Sequence, residues 1–303
     1  MQCVREAAGR VKAASQASGA VASAAMAVPQ ELRDLANRAA TPVPEGGLPR
    51  RSQHIGPRTL PAFYGKDLLE WLRGKQQQQQ PEAQAQALLQ AVLITPAAPY
   101  NAAQSAREAS PMPFKASELY CLVQEAPPPA KGQPLNSHIW WTGPARPAVQ
   151  VAEELRALIL RLYDAHLSAD GKSVSYKDMK VSPLFKEYTK ATAELQRVDL
   201  SPLSRQELLA FGINLYNALI VHATVVVGAP SSTLERSEFF SKNAAYVIGG
   251  HTYASDDIEN GILRCNRPAA SNLFVLVGLP GVASGQFKSS DPRSKKVRGE
   301  CCD

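Results

Sequence analysis

The stretch QELLAFGINLYNALIVHA (Gln206–Ala223) decides how the rest of the chain is read. At 100° per residue Leu208, Phe211, Leu215, Leu219 and His222 share one stripe, spaced by three, four, four and three, which predicts a helix. The remaining faces are also apolar nearly all round, so the helix is expected inside a domain. Asn214 and Asn217 lie together on its narrow polar edge. Buried amides need partners, so both are expected to hold neighbouring backbone. His222, inside the apolar stripe, reads either as a satisfied core histidine or as a site residue.

Downstream, YVIGGHTY (Tyr246–Tyr253) alternates like a strand pair around a Gly-Gly turn. Ser255-Asp256-Asp257-Ile258-Glu259 then opens another helix, with serine as its N-cap and acids on the positive helix end. Capping alone therefore accounts for this acidic cluster. Upstream, Leu155, Leu158, Ile159, Leu162 and Tyr163 define a further helix face. Asp170-Gly171-Lys172 is a turn and not a calcium loop, because His166 and Lys177 would stand where carboxylates are required.

These elements resemble the domain-of-unknown-function 547 family. The residues that carry the likeness are Leu208–Leu219, Ile248–Arg264 and Asp291-Pro292-Arg293, in order across about residues 170–293. Gly212 departs from the tryptophan usual in that family. The family continues into a Cys-Gly-x-x-Ser-Cys segment, whereas this chain runs on as SKKVRGECCD (294–303), and Cys301-Cys302 does not reproduce that spacing. The domain, at 151–293, is therefore expected to be truncated, followed by a basic tail at 294–303. A cysteine nucleophile needs a histidine base and an orienting partner. In a complete domain His222 or His251 is the candidate base, with Asn214, Asn217, Asp256 or Asp257 holding the imidazole. No catalytic residue is assigned in the present chain.

Residues 126–150 are rich in proline and glycine and cannot sustain a helix or a central strand, which predicts a linker. The pair Trp140-Trp141 is unusual there. Packing on a neighbouring domain is expected, with peptide binding as the alternative. Before the linker, apolar spacing predicts helices over 31–40, 66–74 and 83–94, and a strand or hairpin arm over 114–123. Five glutamines (Gln76–Gln80) read as a tolerated loop expansion. The motifs Phe63-x-Gly65-x-x-Leu68-x-x-Trp71-Leu72, Leu88-Leu89-Gln90-x-x-Leu93-Ile94 and Pro113-Phe114-Lys115-x-Ser117-Glu118-Leu119-Tyr120 are similar to a DEP domain. That resemblance implies a winged-helix-like module over 30–125. Its parts would be three helices, a β-hairpin arm between the first two, and a short C-terminal strand pair. The expected fold class is mainly α with α+β: this module, the Pro-rich linker, then an incomplete α+β domain.

The resemblance places Arg50, Arg51, His54 and Arg58 on an exposed arm, and no acid lies between Gly46 and Tyr64. At about 1 kcal/mol per arginine near an anionic leaflet, three give roughly a hundredfold surface enrichment. The expected partners are a signalling protein or receptor, with acidic phospholipid as a further surface. Nucleic acid is disfavoured, because Ala83–Ile94 has no Lys or Arg to enter a groove.

The 303 residues favour two domains. Of the 45% hydrophobic residues many are alanine, so the core is lean, and the net charge of +6 is mild. No run reaches the ~18 uninterrupted apolar residues that span a bilayer. Five scattered cysteines make no disulfide framework, and no Cys/His spacing supports a metal; no cofactor is expected. Residues 1–28 read as a disordered leader, with an organelle transit peptide as the alternative. The resulting expectation is a non-enzymatic intracellular signalling or scaffolding protein, cytoplasmic and peripheral at membranes. The competing class is a cysteine-dependent hydrolase or thiol-redox protein.

Overall fold

The computed structural model describes residues 28–55, 58–76, 78–98 and 110–267. The leader, most of the insert after the third helix, Asp291-Pro292-Arg293 and the tail with Cys301-Cys302 lie outside the described residues. The fold is mixed α+β.

Helix α1 (Gln30–Ala40) buries Leu35, Ala36 and Ala39. The antiparallel hairpin β1 (Arg51–Ile55) and β2 (Arg58–Tyr64) follows, in register Arg51↔Ala62 to Ile55↔Arg58. Helix α2 (Gly65–Gly74) starts with a reciprocal cap between Tyr64 and Asp67 and buries Leu68, Leu69, Trp71 and Leu72. A Cβ on Gly65 would stand 2.4 Å from the Lys115 carbonyl oxygen, so this helix start needs glycine. Helix α3 (Pro81–Gln90) ends before the predicted Ile94. The chain closes it with Val92 N–H on the Leu89 carbonyl and Leu93 N–H on the Leu88 carbonyl. Val92 takes the left-handed position at φ +50. Two crossed bonds of this kind terminate a helix, and here they outweigh the strain of a β-branched residue at positive φ. Ile94 is thereby released into β3 (Ile94–Pro96), which pairs with β4 (Leu119–Leu122). The sheet order is β1-β2-β4-β3.

Residues 126–147 take no helix or strand, as their prolines require, but they are not a free tether. Leu135, Asn136, Ile139, Trp140, Trp141 and Thr142 are all buried. Trp141 packs in one cluster with Val92, Ile139 and Ala193, and both tryptophans are buried. This strap joins the first block to helices α4 (Ala148–His166), α5 (Tyr176–Val181) and α6 (Pro183–Thr192), and to the 3-10 turn Ala193–Arg197.

The stretch Gln206–Ala223 lies in α7 (Arg205–Val227), opened by a reciprocal cap between Ser204 and Glu207. By length and composition α7 could cross a membrane, a property hidden from a count of uninterrupted apolar residues. In the fold it is a core helix, burying Leu208, Phe211, Leu215, Leu219 and His222 against α4 and its neighbours. Its outer face was expected to be buried and is not. Ala210 and Asn217 are exposed, Ile213 is 52% exposed, and Asn214 is half-buried. The asparagines face that way because the core already fills the opposite stripe. Helix α8 (Thr233–Glu238) leads into a π-type turn, Phe239–Asn243. The hairpin β5 (Ala245–Ile248) and β6 (His251–Ala254) follows, turning on Gly249 and Gly250 at φ +54 and +83. A second π-type segment, Asp257–Leu263, ends the described chain.

Candidate functional site

Helix α7 carries His222 into the core, where the residue is 1% exposed. Phe185 and Tyr188 meet its ring edge-on at centroid distances of 5.3 and 5.4 Å. Its Nδ1 lies 2.8 Å from the Tyr246 hydroxyl, which lies 2.9 Å from the Tyr188 hydroxyl. Tyr188 spends its only proton on the Ala218 carbonyl, 3.2 Å away. Tyr246 must therefore donate to Tyr188, and His222 must donate from Nδ1 to Tyr246. Burial, with the nearby His138 adding to it, pushes the imidazole down to about 3. Such a group is neutral at ordinary pH and too weakly basic to activate a thiol. Of the two readings of His222, the geometry is that of a satisfied core histidine.

The other candidates do not converge on it. His251 is half-buried in β6, opposite Ile248. Asp257 accepts the Ala254 N–H at 2.9 Å and so does the capping work expected of Ser255. Ser255 instead turns its hydroxyl to the Phe240 carbonyl at 2.9 Å. Asp256 is buried, and its carbonyl accepts from Asn260. Beside them Tyr216 donates to Glu259 at 3.2 Å, and Glu259 pairs with Arg264 at 2.6 Å. Burial, with Glu259 adding to it, raises the Tyr216 phenol to about 12. Cys265 accepts a long bond from Arg205 at 3.6 Å. Cys121 is buried, and burial pushes its thiol up to about 12. Neither of these two cysteines is bonded to a histidine. Among the described residues no cluster of three or more His, Cys, Asp or Glu could hold a metal.

The basic arm is the clearest correction. Arg50 does not face outward. Its guanidinium donates to the carbonyls of Ala39, of Leu48 at 3.0 Å and of Ala40 at 3.0 Å, and pairs with Glu125 at 3.1 Å. It thus caps the C-terminus of α1, whose last carbonyls have no partner within the helix and carry partial negative charge. Arg58 reaches the carbonyls of Ser137 and His138 in the strap, both at 3.2 Å. Arg51 and His54 remain exposed, and His54 shares a 2.8 Å bond with Thr59. The Arg50→Ala variant is expected to lose about 1–3 kcal/mol of stability, since it removes the guanidinium from the buried Leu48 carbonyl and from the end of α1 and leaves Glu125 without its ion-pair partner. Arg51→Ala should stay within about 0.5 kcal/mol, as surface changes do. Urea unfolding of the two variants side by side checks this; equal losses would refute the assignment.

The polar residues that do converge are ones the sequence reading passed over. Asn136 donates from Nδ2 to the carbonyls of Thr192 and Val247, both at 3.0 Å, and accepts the Val247 N–H at 2.8 Å. Gln196 donates to the Asn136 and Ile139 carbonyls and accepts the Trp141 N–H at 3.0 Å. Thr95 exchanges bonds with the Trp140 backbone at 3.1 and 2.8 Å. Arg197 reaches the Gly143 and Ser110 carbonyls. One signal was present: two tryptophans in a polar, proline-rich stretch demand burial, and buried backbone without regular structure demands side-chain partners.

Residues 200–297 match the family described as "Protein of unknown function, DUF547". No curated protein and no solved structure matches the chain. The family match agrees with the resemblance read from α7, β5–β6 and the segment after them. It falls outside residues 30–125 and does not bear on the DEP resemblance.

Proposed function

We propose that the chain is a non-enzymatic intracellular signalling or scaffolding protein of the cytoplasm. In this reading residues 30–125 are a DEP-like, winged-helix-like module that docks on a protein partner, and residues 151–293 form the second domain. One observation supports it: His222, a candidate base, is sealed among aromatic rings, neutral, and committed to Tyr246. The module reading is supported by element order. A helix, a hairpin, two helices and a strand pair follow one another as that family's fold requires. Protein is favoured over acidic lipid as the partner. With Arg50 and Arg58 turned inward, Arg51 alone contributes about 1 kcal/mol at an anionic surface, roughly fivefold.

The competing reading is a cysteine-dependent hydrolase or thiol-redox protein. The two separate in a turnover assay on ester, peptide and disulfide substrates, run with the parent, Cys265→Ser and His251→Ala. The expected result is no turnover above buffer in any of the three. Turnover by the parent that either substitution abolishes would overturn the scaffolding reading.

A further inference from the structure

The sheet of the first block ends differently on its two sides. At β3 both Ile94 and Thr95 are fully buried, Thr95 bonds the Trp140 backbone, and Pro96 has no N–H to offer. At the other end β1 pairs with β2 alone among the described residues. Only Gly56 and Pro57 separate the paired Ile55 and Arg58, and a two-residue connection closes on a hydrogen-bonded pair. Alternation then makes His54–Thr59 and Ser52–Pro61 the non-bonded pairs. Pro61, which has no N–H, suits that position. Side chains of such a pair stand close, and His54 Nδ1 lies 2.8 Å from the Thr59 hydroxyl. The N–H and carbonyl groups of Ser52 and His54 therefore point away from the sheet, and both residues are exposed.

Natural edge strands discourage further pairing with a proline, a bulge or a charge placed near the middle. Strand β1 has none of these. Its register with β2 is unbroken from Arg51 to Ile55, and its one permanent charge, Arg51, stands at the end. On the face shared with Leu60 and Ala62, Ile55 is half-buried against the Leu60–Ala62–Cys121 cluster. Arg51 lies on the same face, exposed and in no ion pair among the described residues. An antiparallel strand laid on this edge meets Ile55, Gln53 and Arg51 in that order on that face. An apolar residue at the first position extends the cluster, and a carboxylate four positions later pairs with Arg51. A second copy of β1 fits poorly. It would set Arg51 against Ile55, bring no acid to an arm that has none, and oppose two chains of net charge +6.

We propose that β1 takes up an extended acidic segment of a partner protein by antiparallel strand addition. The backbone of Ser52 and His54 supplies the ladder, Ile55 the apolar contact and Arg51 the choice of a carboxylate. This deepens the docking part of the scaffolding reading; the turnover assay tests that reading separately, so the two can fail independently.

The test is titration of the full chain with the capped peptide Thr-Val-Thr-Val-Thr-Glu-Thr, followed by the backbone amides of Ser52 and His54. Saturable binding that slows hydrogen exchange at both amides is expected. The same peptide N-methylated at its third and fifth residues keeps its charge but loses the donors to β1, and should not bind. Lysine in place of the glutamate should weaken binding about fivefold, the scale of a cross-strand charge pair, and Arg51→Glu should reverse that preference. Ser52→Pro should abolish binding and still fold, because the N–H it removes faces outward. Where it does not fold, Arg51→Glu, a surface change, still decides. Failure of the acidic peptide to bind, equal binding of the N-methylated one, or an unreversed preference in Arg51→Glu would overturn the proposal. So would a dimer of the parent that Ser52→Pro dissolves, which would give the edge to a second copy.

Discussion

Replacing Asn136 by alanine is expected to destabilise the protein by about 4 kcal/mol, a large share of what holds an ordinary domain together. The side chain works as a piece of surrogate backbone. Leu135 N–H bonds the Ala245 carbonyl at 2.8 Å, and the Asn136 amide takes up the next two groups along β5, the N–H and carbonyl of Val247. Its second amide hydrogen serves the Thr192 carbonyl at the end of α6. Alanine leaves one N–H and two carbonyls of the buried backbone without these bonds, at about 1–3 kcal/mol each before relaxation. Asn136→Asp keeps the acceptor for Val247 N–H but loses both donations and buries a charge, so it should be no better than alanine. Urea unfolding followed by tryptophan fluorescence measures both. A loss below about 1 kcal/mol for the alanine variant would show that water replaces the amide and that the strap is held by its tryptophans.

Acidification should unfold the protein through two imidazoles. His138 is buried, and burial together with the neighbouring Arg58 pushes it down to about 4; His222 lies at about 3. An unfolded histidine titrates near 6.5. Both folded values are depressed, so below pH 6.5 the unfolded chain takes up protons that the folded chain refuses. The stability is fully present above about pH 6.5 and drains away as pH falls towards 4 and then 3. Each tenfold gap in proton affinity is worth about 1.4 kcal/mol, so the pair together withdraws on the order of 8 kcal/mol once both are charged. The charged and titratable groups that face them reinforce the effect: Arg58 faces His138, and His138 faces His222. Urea midpoints between pH 7.5 and 4 should fall steeply in the parent and much less in the His138→Gln, His222→Gln double variant. An unchanged pH dependence in that variant would assign the acid sensitivity to carboxylates instead.

What was legible in the sequence was what apolar spacing alone can specify. The stripe from Leu208 to His222 and the Gly249–Gly250 turn stand where their patterns predicted. The errors share one cause, which is that direction and partner are set by residues distant in the chain. A run of arginines does not say which of them turns inward. Arg50 does so because the helix-end carbonyls 9–11 positions earlier lie beside it, and Arg58 because the strap passes 79 and 80 positions later. Ala210 and Ile213 look like core residues by type, yet the opposite stripe had already claimed the core. At the candidate site, the aromatic box around His222 draws on Phe185, Tyr188 and Tyr246, which no local period connects. A lone asparagine in a proline-rich stretch carries no sign that it will bond a strand 111 positions downstream.

That separation also sets a timetable on the ribosome. Asn136 is polymerised 111 residues before Val247, which at about 5–20 residues per second is a delay of roughly 6–20 s. During that interval α1 to α3 can collapse on one another, but Trp140 and Trp141 have been made before Ala193, which completes the Trp141 cluster, and Gln196, which accepts the Trp141 N–H. A nascent chain that has brought this pair clear of the ribosome but has not yet made Ala193 and Gln196 therefore presents two adjacent indoles to solvent, a ready landing site for a chaperone.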